Sequence, residues 1–181
     1  MRIRNKAKKI AGIVVLSLMV LTGYTAFGED GTLLAKNSEQ KSWMDFELED
    51  VTTGETFKIS DFKGKKVVLE TFAVWCPTCT KQQREIKELH SRIGEEFVSI
   101  TIDVDPNESA DNVRAHVERN GFDWLYAVAS PEMTRSLIDE FGTIIINAPS
   151  APIVLINEDG TARLLGRGVK SADKLEKELK G

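Results

Sequence analysis

Three rhythms of hydrophobic and polar residues succeed one another along the chain. The first is an uncharged run, Ile10 to Gly28, preceded by Arg2, Arg4, Lys6, Lys8 and Lys9. A basic start, an apolar stretch and small residues at Ala26 and Gly28 follow the order of a secretory signal. The run is also close to the roughly 20 residues that cross a bilayer. An uncleaved N-terminal membrane anchor therefore competes with a cleaved signal, while five flanking cations disfavour a buried core helix. No Cys stands near the end of the run, so a lipid anchor has no attachment point. Residues 1–28 are read as signal peptide or anchor, 29–41 as a polar linker and 42–181 as the folded domain, placed outside the cytoplasm on either reading.

The second rhythm is alternation and short apolar runs. Phe46 and Leu48 alternate with acids, Thr52-Thr53-Gly54 supplies a turn, and Thr56 to Ile59 resumes extended character, which is a hairpin pattern. After Lys63-Gly64-Lys65, the run Lys66 to Phe72 is short, mostly apolar and β-branched, suiting a buried central strand. The third rhythm, spacings of three and four, marks a helix from Thr78 to Ile93 through Ile86, Leu89 and Ile93. Glu96 to Asp105 reads as a strand, Ala110 to Asn120 as an amphipathic helix ended by Gly121, and Trp124 to Ala129 as a strand. Ser130 and Pro131 open a helix to Phe141. Ile153 to Ile156 and Ala162 to Leu165 form a closing hairpin, and Ser171 caps a last helix over 172–179. The order β, β, β, α, β, α, β, α, β, β, α predicts an α/β fold. Its strands should form one mixed sheet, parallel where helices intervene and antiparallel at the closing hairpin, with helices on both faces.

Composition narrows the class. The chain has 181 residues, 41% of them hydrophobic, enough for the core of one domain of ordinary size. The net charge of −4 argues against a nucleic-acid partner held by overall positive charge. Losing residues 1–28 would remove five of the 24 basic residues and none of the 28 acidic ones, leaving the domain more negative still. Two Cys and two His are too few for a zinc finger or a disulfide-stapled miniprotein.

Both cysteines sit in Trp75-Cys76-Pro77-Thr78-Cys79, where the buried strand ends and the first long helix begins. Two cysteines placed at random would meet at this spacing only about 1% of the time. The free N–H groups and positive end of a helix favour a thiolate. Cys76, at the helix start, should gain most, and Cys79, one turn further in, should be more shielded. Such a pair can attack a disulfide through Cys76 and resolve the mixed disulfide through Cys79. A structural disulfide and half of a metal site are the plainer readings, but the loop is too short for much entropic stabilisation, and His90 and His116 show no ligand-like pairing with the motif. His90 is read as a helix-surface residue and His116 as part of the amphipathic helix, neither with a role. Glu70 lies in the strand before the motif. Buried there, its carboxyl would hold its proton more tightly and could exchange a proton with Cys79. Facing water, or pairing with a lysine, is the alternative, and strand parity alone only groups Glu70 with Val68 and Phe72.

Val67-Val68-Leu69-Glu70-Thr71-Phe72-Ala73-Val74-Trp75-Cys76-Pro77-Thr78-Cys79 resembles the strand-to-helix active site of the thioredoxin superfamily. The leading hairpin, the extra helix and strand after Asp103-Val104-Asp105-Pro106, and the closing segment from Pro152 to Gly168 resemble its exported TlpA/ResA-like branch, over roughly 42–181. The resemblance implies a thioredoxin-like fold with an N-terminal hairpin extension. It implies Cys76 as the attacking cysteine, Cys79 as the resolving one and Glu70 as the buried acid. It places Trp75, Pro77 and Thr78 beside the substrate. It also implies a cis-proline at Pro152, with Pro149 as rival, and substrate pairing with the backbone of Ala151. Three departures leave the redox direction open: Pro77-Thr78 in place of Gly-Pro, Ala151 where a bulkier or hydroxyl-bearing residue is usual, and Gln82 where ResA-type proteins carry Glu.

The leading expectation is an exported, monomeric thiol–disulfide oxidoreductase that reduces protein disulfides. It needs no bound cofactor and draws electrons from a membrane or extracytoplasmic thiol donor. A DsbA-like oxidant is the alternative. A peroxiredoxin-type peroxidase is disfavoured by Ala73 and Leu69, which stand where that family carries Thr and Pro. A non-enzymatic module, sensing redox state or holding a metal or partner through the two cysteines, is the reading from another class.

Overall fold

The computed structural model describes residues 41–181; the signal or anchor segment and the linker up to residue 40 lie outside the described residues. Among the described residues, seven strands and four α-helices follow the expected order. The strands are β1 (Leu48–Glu49), β2 (Thr56–Phe57), β3 (Val67–Phe72), β4 (Val98–Asp103), β5 (Leu125–Val128), β6 (Ile153–Ile156) and β7 (Ala162–Leu164). The helices are α1 (Pro77–Ile93), α2 (Ala110–Asn120), α3 (Pro131–Phe141) and α4 (Ala172–Lys180). Short 3₁₀ turns at Trp43–Asp45, Ile59–Phe62, Thr143–Ile146 and Ala148–Ser150 add to them.

A five-stranded mixed sheet in the order β5-β4-β3-β6-β7 forms the centre. β3, buried at all six positions, is its middle strand, pairing parallel with β4 and antiparallel with β6. Both faces are covered. Val68, Phe72, Ile153 and Leu155 pack with Ile86 and Leu89 of α1, Val113 and Val117 of α2, and Leu175 and Leu179 of α4. Val67, Leu69, Ile100, Ile102 and Val154 pack with Met133 and Leu137 of α3 and with Trp43, Leu48 and Ile59 of the leading segment. Side chains two apart share a face of a strand, so Glu70 stands with Val68 and Phe72 on the α1 side.

Helix ends follow local chemistry. Ser109, Ser130 and Ser171 cap α2, α3 and α4, each accepting the backbone N–H three residues on. Gly121 ends α2 in the left-handed conformation at φ 63°, a geometry that glycine adopts without a Cβ clash.

Two features differ from expectation. The leading hairpin is a separate two-stranded sheet. Its strands are only two residues long because local side-chain bonds compete with the ladder. Asp50 accepts from Thr52 and Thr53, and Asp61 Oδ2 accepts Lys58 N–H at 2.7 Å, turning the chain into a 3₁₀ helix. The hairpin still docks on β5, where Val51 N–H donates to Tyr126 O at 2.8 Å. Secondly, β6 follows a helix yet runs antiparallel to β3. After α3 the two 3₁₀ turns return the chain to the C-terminal end of β3, where Thr71 Oγ1 donates to Ile145 O. β6 therefore enters the sheet from that end.

Leu137 is fully buried on the face away from the cysteines. Leu137→Ala should lower stability by about 2–5 kcal/mol through the cavity it leaves, while thiol chemistry survives in the folded fraction; urea unfolding followed by circular dichroism checks this.

Candidate active site

The sharp junction between β3 and α1 is built by short-range chemistry. Cys76 N–H donates to Ala73 O at 3.0 Å, closing a turn. Cys76 is then the N-cap of α1, its Sγ accepting Cys79 N–H at 3.2 Å. Pro77 takes the first helical position, where no N–H is required. The β4–α2 loop holds the turn from outside. Glu108 Oε2 accepts Val74 N–H at 2.7 Å, and Asp105 Oδ2 accepts Trp75 Nε1–H at 2.7 Å.

Both cysteines are free thiols, and both are covered, Cys76 at 1% exposure and Cys79 at 0%. The difference in shielding expected from helix position is therefore not seen in surface area. It is seen in bonding: Cys79 Sγ points inward and donates to Ala148 O at 3.1 Å. Burial, the bond to Cys76 and the nearby Glu70 carboxyl all push the Cys79 thiol far above the ordinary thiol range. Around Cys76 the surface is formed by Trp75, 59% exposed, and Pro77, with Thr78 half-buried.

Glu70 is fully buried behind this pair. Its Oε2 accepts from Thr101 Oγ1 at 3.5 Å, and Thr101 is itself held by Trp124 Nε1–H at 2.9 Å. Its Oε1 has no hydrogen-bond partner. Burial drives its proton affinity well above the usual carboxylate range, against the opposing pull of Gln83, Lys170 and Thr101. The side chain is thus buried rather than facing water, and the charge of Lys170 acts on it.

That lysine, Lys170, is the residue that sequence reasoning missed. It is 1% exposed, and burial lowers its proton affinity to about 8. It precedes α4 in an irregular segment, where no periodicity flags a buried position. Gln82 and Gln83 were more legible. They lie three to seven residues before Ile86 and Leu89, on the same helical stripe, and both are fully buried. Gln82 clamps Lys170, and Gln83 Oε1 pairs with His116 Nε2 at 2.7 Å. His116 is thus a buried residue of α2, its protonated form disfavoured first by burial. His90 is not a free surface residue; it stacks on Phe97 and Trp124 and bonds Ser99 Oγ at 2.9 Å. Asp103 is a second buried carboxyl, pushed up to about 8 by burial and its bond to Glu108.

The proline expectation needs correction. No peptide bond among the described residues is cis, so neither Pro152 nor Pro149 is a cis-proline here. Ala151 instead adopts a left-handed conformation, φ 45° and ψ 63°, closing the 3₁₀ turn Ala148–Ser150. That residue turns the chain into β6, and Pro152 O accepts Thr71 N–H at 3.4 Å. Ala151 and Pro152 are both buried, and Ala148, which opens the same turn, accepts from the Cys79 thiol.

The match to a family model settles the relationship: the Redoxin model matches residues 29–179. The chain belongs to the Redoxin family. Among relatives of this redoxin is the thiol-disulfide oxidoreductase ResA of Bacillus thuringiensis subsp. konkukian, 29% identical, with 93% of this chain and 92% of that protein covered. Solved structures of similar fold include the exposed lipoprotein thioredoxin Etrx1 of Streptococcus pneumoniae, with TM-score 0.58, 24% identity and coverage of 75% of this chain and 97% of that one. A secreted Mycobacterium tuberculosis disulfide oxidoreductase gives TM-score 0.58 at 16% identity, covering 76% and 96%. The thioredoxin-like fold and the TlpA/ResA-like resemblance are borne out for this redoxin.

Because Glu70 binds its proton more tightly folded than unfolded, its contribution to stability is full below the unfolded carboxylate range and is lost as pH rises toward the folded value. As pH rises above the unfolded carboxylate range, the reduced wild-type protein should lose stability that Glu70→Gln does not lose. Urea titrations of both proteins across that range provide the comparison.

Proposed function

We propose that this thioredoxin-like thiol–disulfide oxidoreductase is exported, acts as a monomer, and passes electrons from Cys76 and Cys79 to disulfides of protein substrates. The observation that carries the reading is a free thiol pair at the head of α1 with a buried carboxyl behind its inner sulfur. The Cys76 thiolate attacks one substrate sulfur; the Cys76–substrate bond forms, the substrate S–S bond breaks, and the other substrate sulfur leaves as a thiolate that takes its proton from water. Cys79 then attacks Cys76 Sγ, its proton moving to an ionised Glu70; the Cys76–Cys79 bond forms, the Cys76–substrate bond breaks, and the second substrate sulfur departs as a thiolate. Two electrons have reached the substrate, and the Cys76–Cys79 disulfide awaits a membrane or extracytoplasmic thiol donor. All these groups belong to the chain itself, so no bound cofactor enters the cycle.

Export rests on the basic and apolar order of residues 1–28, with the Redoxin match starting at residue 29. Whether cleaved or retained as an anchor, this segment puts the domain, with residues 29–41 as its tether, on the outer side of the membrane. Substrate recognition falls to the exposed rim, Trp75, Pro77 and Thr78. Beside it lies an apolar recess of about 360 Å³ between the β4–α2 loop and Ile146.

Cys76→Ser should abolish disulfide reduction, and Cys79→Ser should accumulate a mixed disulfide with substrate, both read by mass spectrometry after acid quenching. Titration against glutathione decides direction: a potential below about −150 mV fits a reductant, and one above it makes the protein an oxidant. Activity surviving in the double Ser variant would instead favour a binding module. Trp75→Ala should raise KM for a protein disulfide several-fold while reduction of a small disulfide stays unchanged.

A further inference from the structure

The acids of the β4–α2 loop have no task in the cycle so far, yet two of them hold the residues just before the outer cysteine. Val74 N–H donates to Glu108 Oε2 at 2.7 Å, and Trp75 Nε1–H donates to Asp105 Oδ2 at 2.7 Å. Behind both stands Asp103, the last residue of β4, in register with Phe72 of β3. Asp103 is 0% exposed. Its Oδ1 accepts Asp105 N–H at 2.7 Å and its carbonyl accepts Ala129 N–H at 2.9 Å, so it anchors the loop to the sheet. Glu108 is tied into the same loop by its own N–H, which donates to Asp105 O at 3.2 Å.

The second Asp103 oxygen, Oδ2, is buried and receives no N–H or O–H from the described residues. The group that meets the Asp103 side chain is another carboxyl, that of Glu108. Ionised carboxylates only accept hydrogen bonds, so two carboxyls bond to each other only through a proton that one of them carries. With both ionised, like charges would face each other where little water screens them. Asp105 adds a third negative group from the same loop, and His116 of α2 feels the charge of Glu108 from the opposite side. None of the ion pairs among the described residues takes in Asp103 or Glu108. Burial first, then the bond to Glu108, raises the proton affinity of Asp103 to about 8.

We propose that Asp103 is a positioning residue for substrate docking: a proton shared with Glu108 keeps Glu108 on Val74 N–H, and so fixes how Trp75 and Cys76 meet a protein disulfide. Asp103 acts only through Glu108 and the loop. Once pH rises through about 8 the shared proton passes to water, the two charges repel, and Glu108 releases Val74 N–H. The loop that carries Asp105 then loosens its hold on Trp75. What docks rests on the redox reading above, whereas the hold on Val74 is a property of the folded chain.

The test gives reduced full-length protein two readouts. The Val74 amide and Trp75 indole N–H signals in nitrogen-15 NMR should shift together as pH is raised through about 8. KM for insulin, a protein disulfide, should rise about threefold to tenfold over the same step, the factor that one lost hydrogen bond carries; KM for glutathione disulfide should not follow it. Asp103→Asn places an amide donor where Oδ2 stands and bonds Glu108 without a shared proton. Both steps should vanish, with KM for insulin held at its lower value. Glu108→Gln makes the same bond from the other side and should behave alike, so a folding defect in one variant leaves the other as the measurement. A step that persists in both variants overturns the assignment, as does a wild-type Val74 signal or insulin KM that stays flat. If wild-type protein reduces neither insulin nor glutathione disulfide, the redox reading itself fails, and the NMR step alone decides whether the pair holds Val74.

Discussion

A carboxyl group held out of water at the centre of the sheet is the constraint around which this molecule is arranged. Glu70 occupies a position in β3 where every neighbour along the strand is buried, and a charge there is opposed by the loss of hydration. The fold tolerates it because polar groups converge on it: Gln83 from α1, Lys170 from the segment before α4, and Thr101 from β4. An apolar residue at position 70 would pack at less cost. What the carboxyl adds is a charge that, when present, pushes the Cys79 thiol further above the ordinary thiol range.

The surrounding architecture serves that coupling by fixing directions. Parallel pairing of β3 with β4 places Glu70 opposite Thr101, and antiparallel pairing with β6 places it opposite Ile153. Since strand faces alternate, these registers commit the carboxyl to the α1 side. The Ala73–Cys76 turn starts α1 directly over it. The 3₁₀ turns after α3 bring Ala148 O to the Cys79 thiol and Ala151 O to the Lys170 ammonium. Irregular segments thus supply the carbonyls that ladders and helices would have consumed in their own hydrogen bonds.

Much of this could be read in the sequence, and the boundary is physical. The order of strands and helices, the serine caps and the strand-to-helix seat of the cysteines follow from local periodicity and turn chemistry. Cys76, Cys79 and Glu70 could be singled out because spacing and strand context set them apart. Lys170 could not, since its partners are distant in sequence and nothing in Gly168-Val169-Lys170-Ser171 distinguishes an inward lysine from an outward one. The direction of β6 was hidden for a related reason: alternation of strand and helix suggests a parallel crossover, and only the path of the 3₁₀ turns reverses it. The geometry at Ala151 lay equally out of reach, because a proline in the sequence does not reveal on which side of it the backbone turns.

The clamp between Gln82 and Lys170 has a consequence for biogenesis. Ribosomes and export machinery deliver a polypeptide from its N-terminus onward, so the dithiol emerges well before the segment that carries the lysine. Until that last stretch arrives and docks, the nascent protein has its sulfur atoms but lacks the internal cation that completes their surroundings. Its thiols lack that covering until α4 folds against α1.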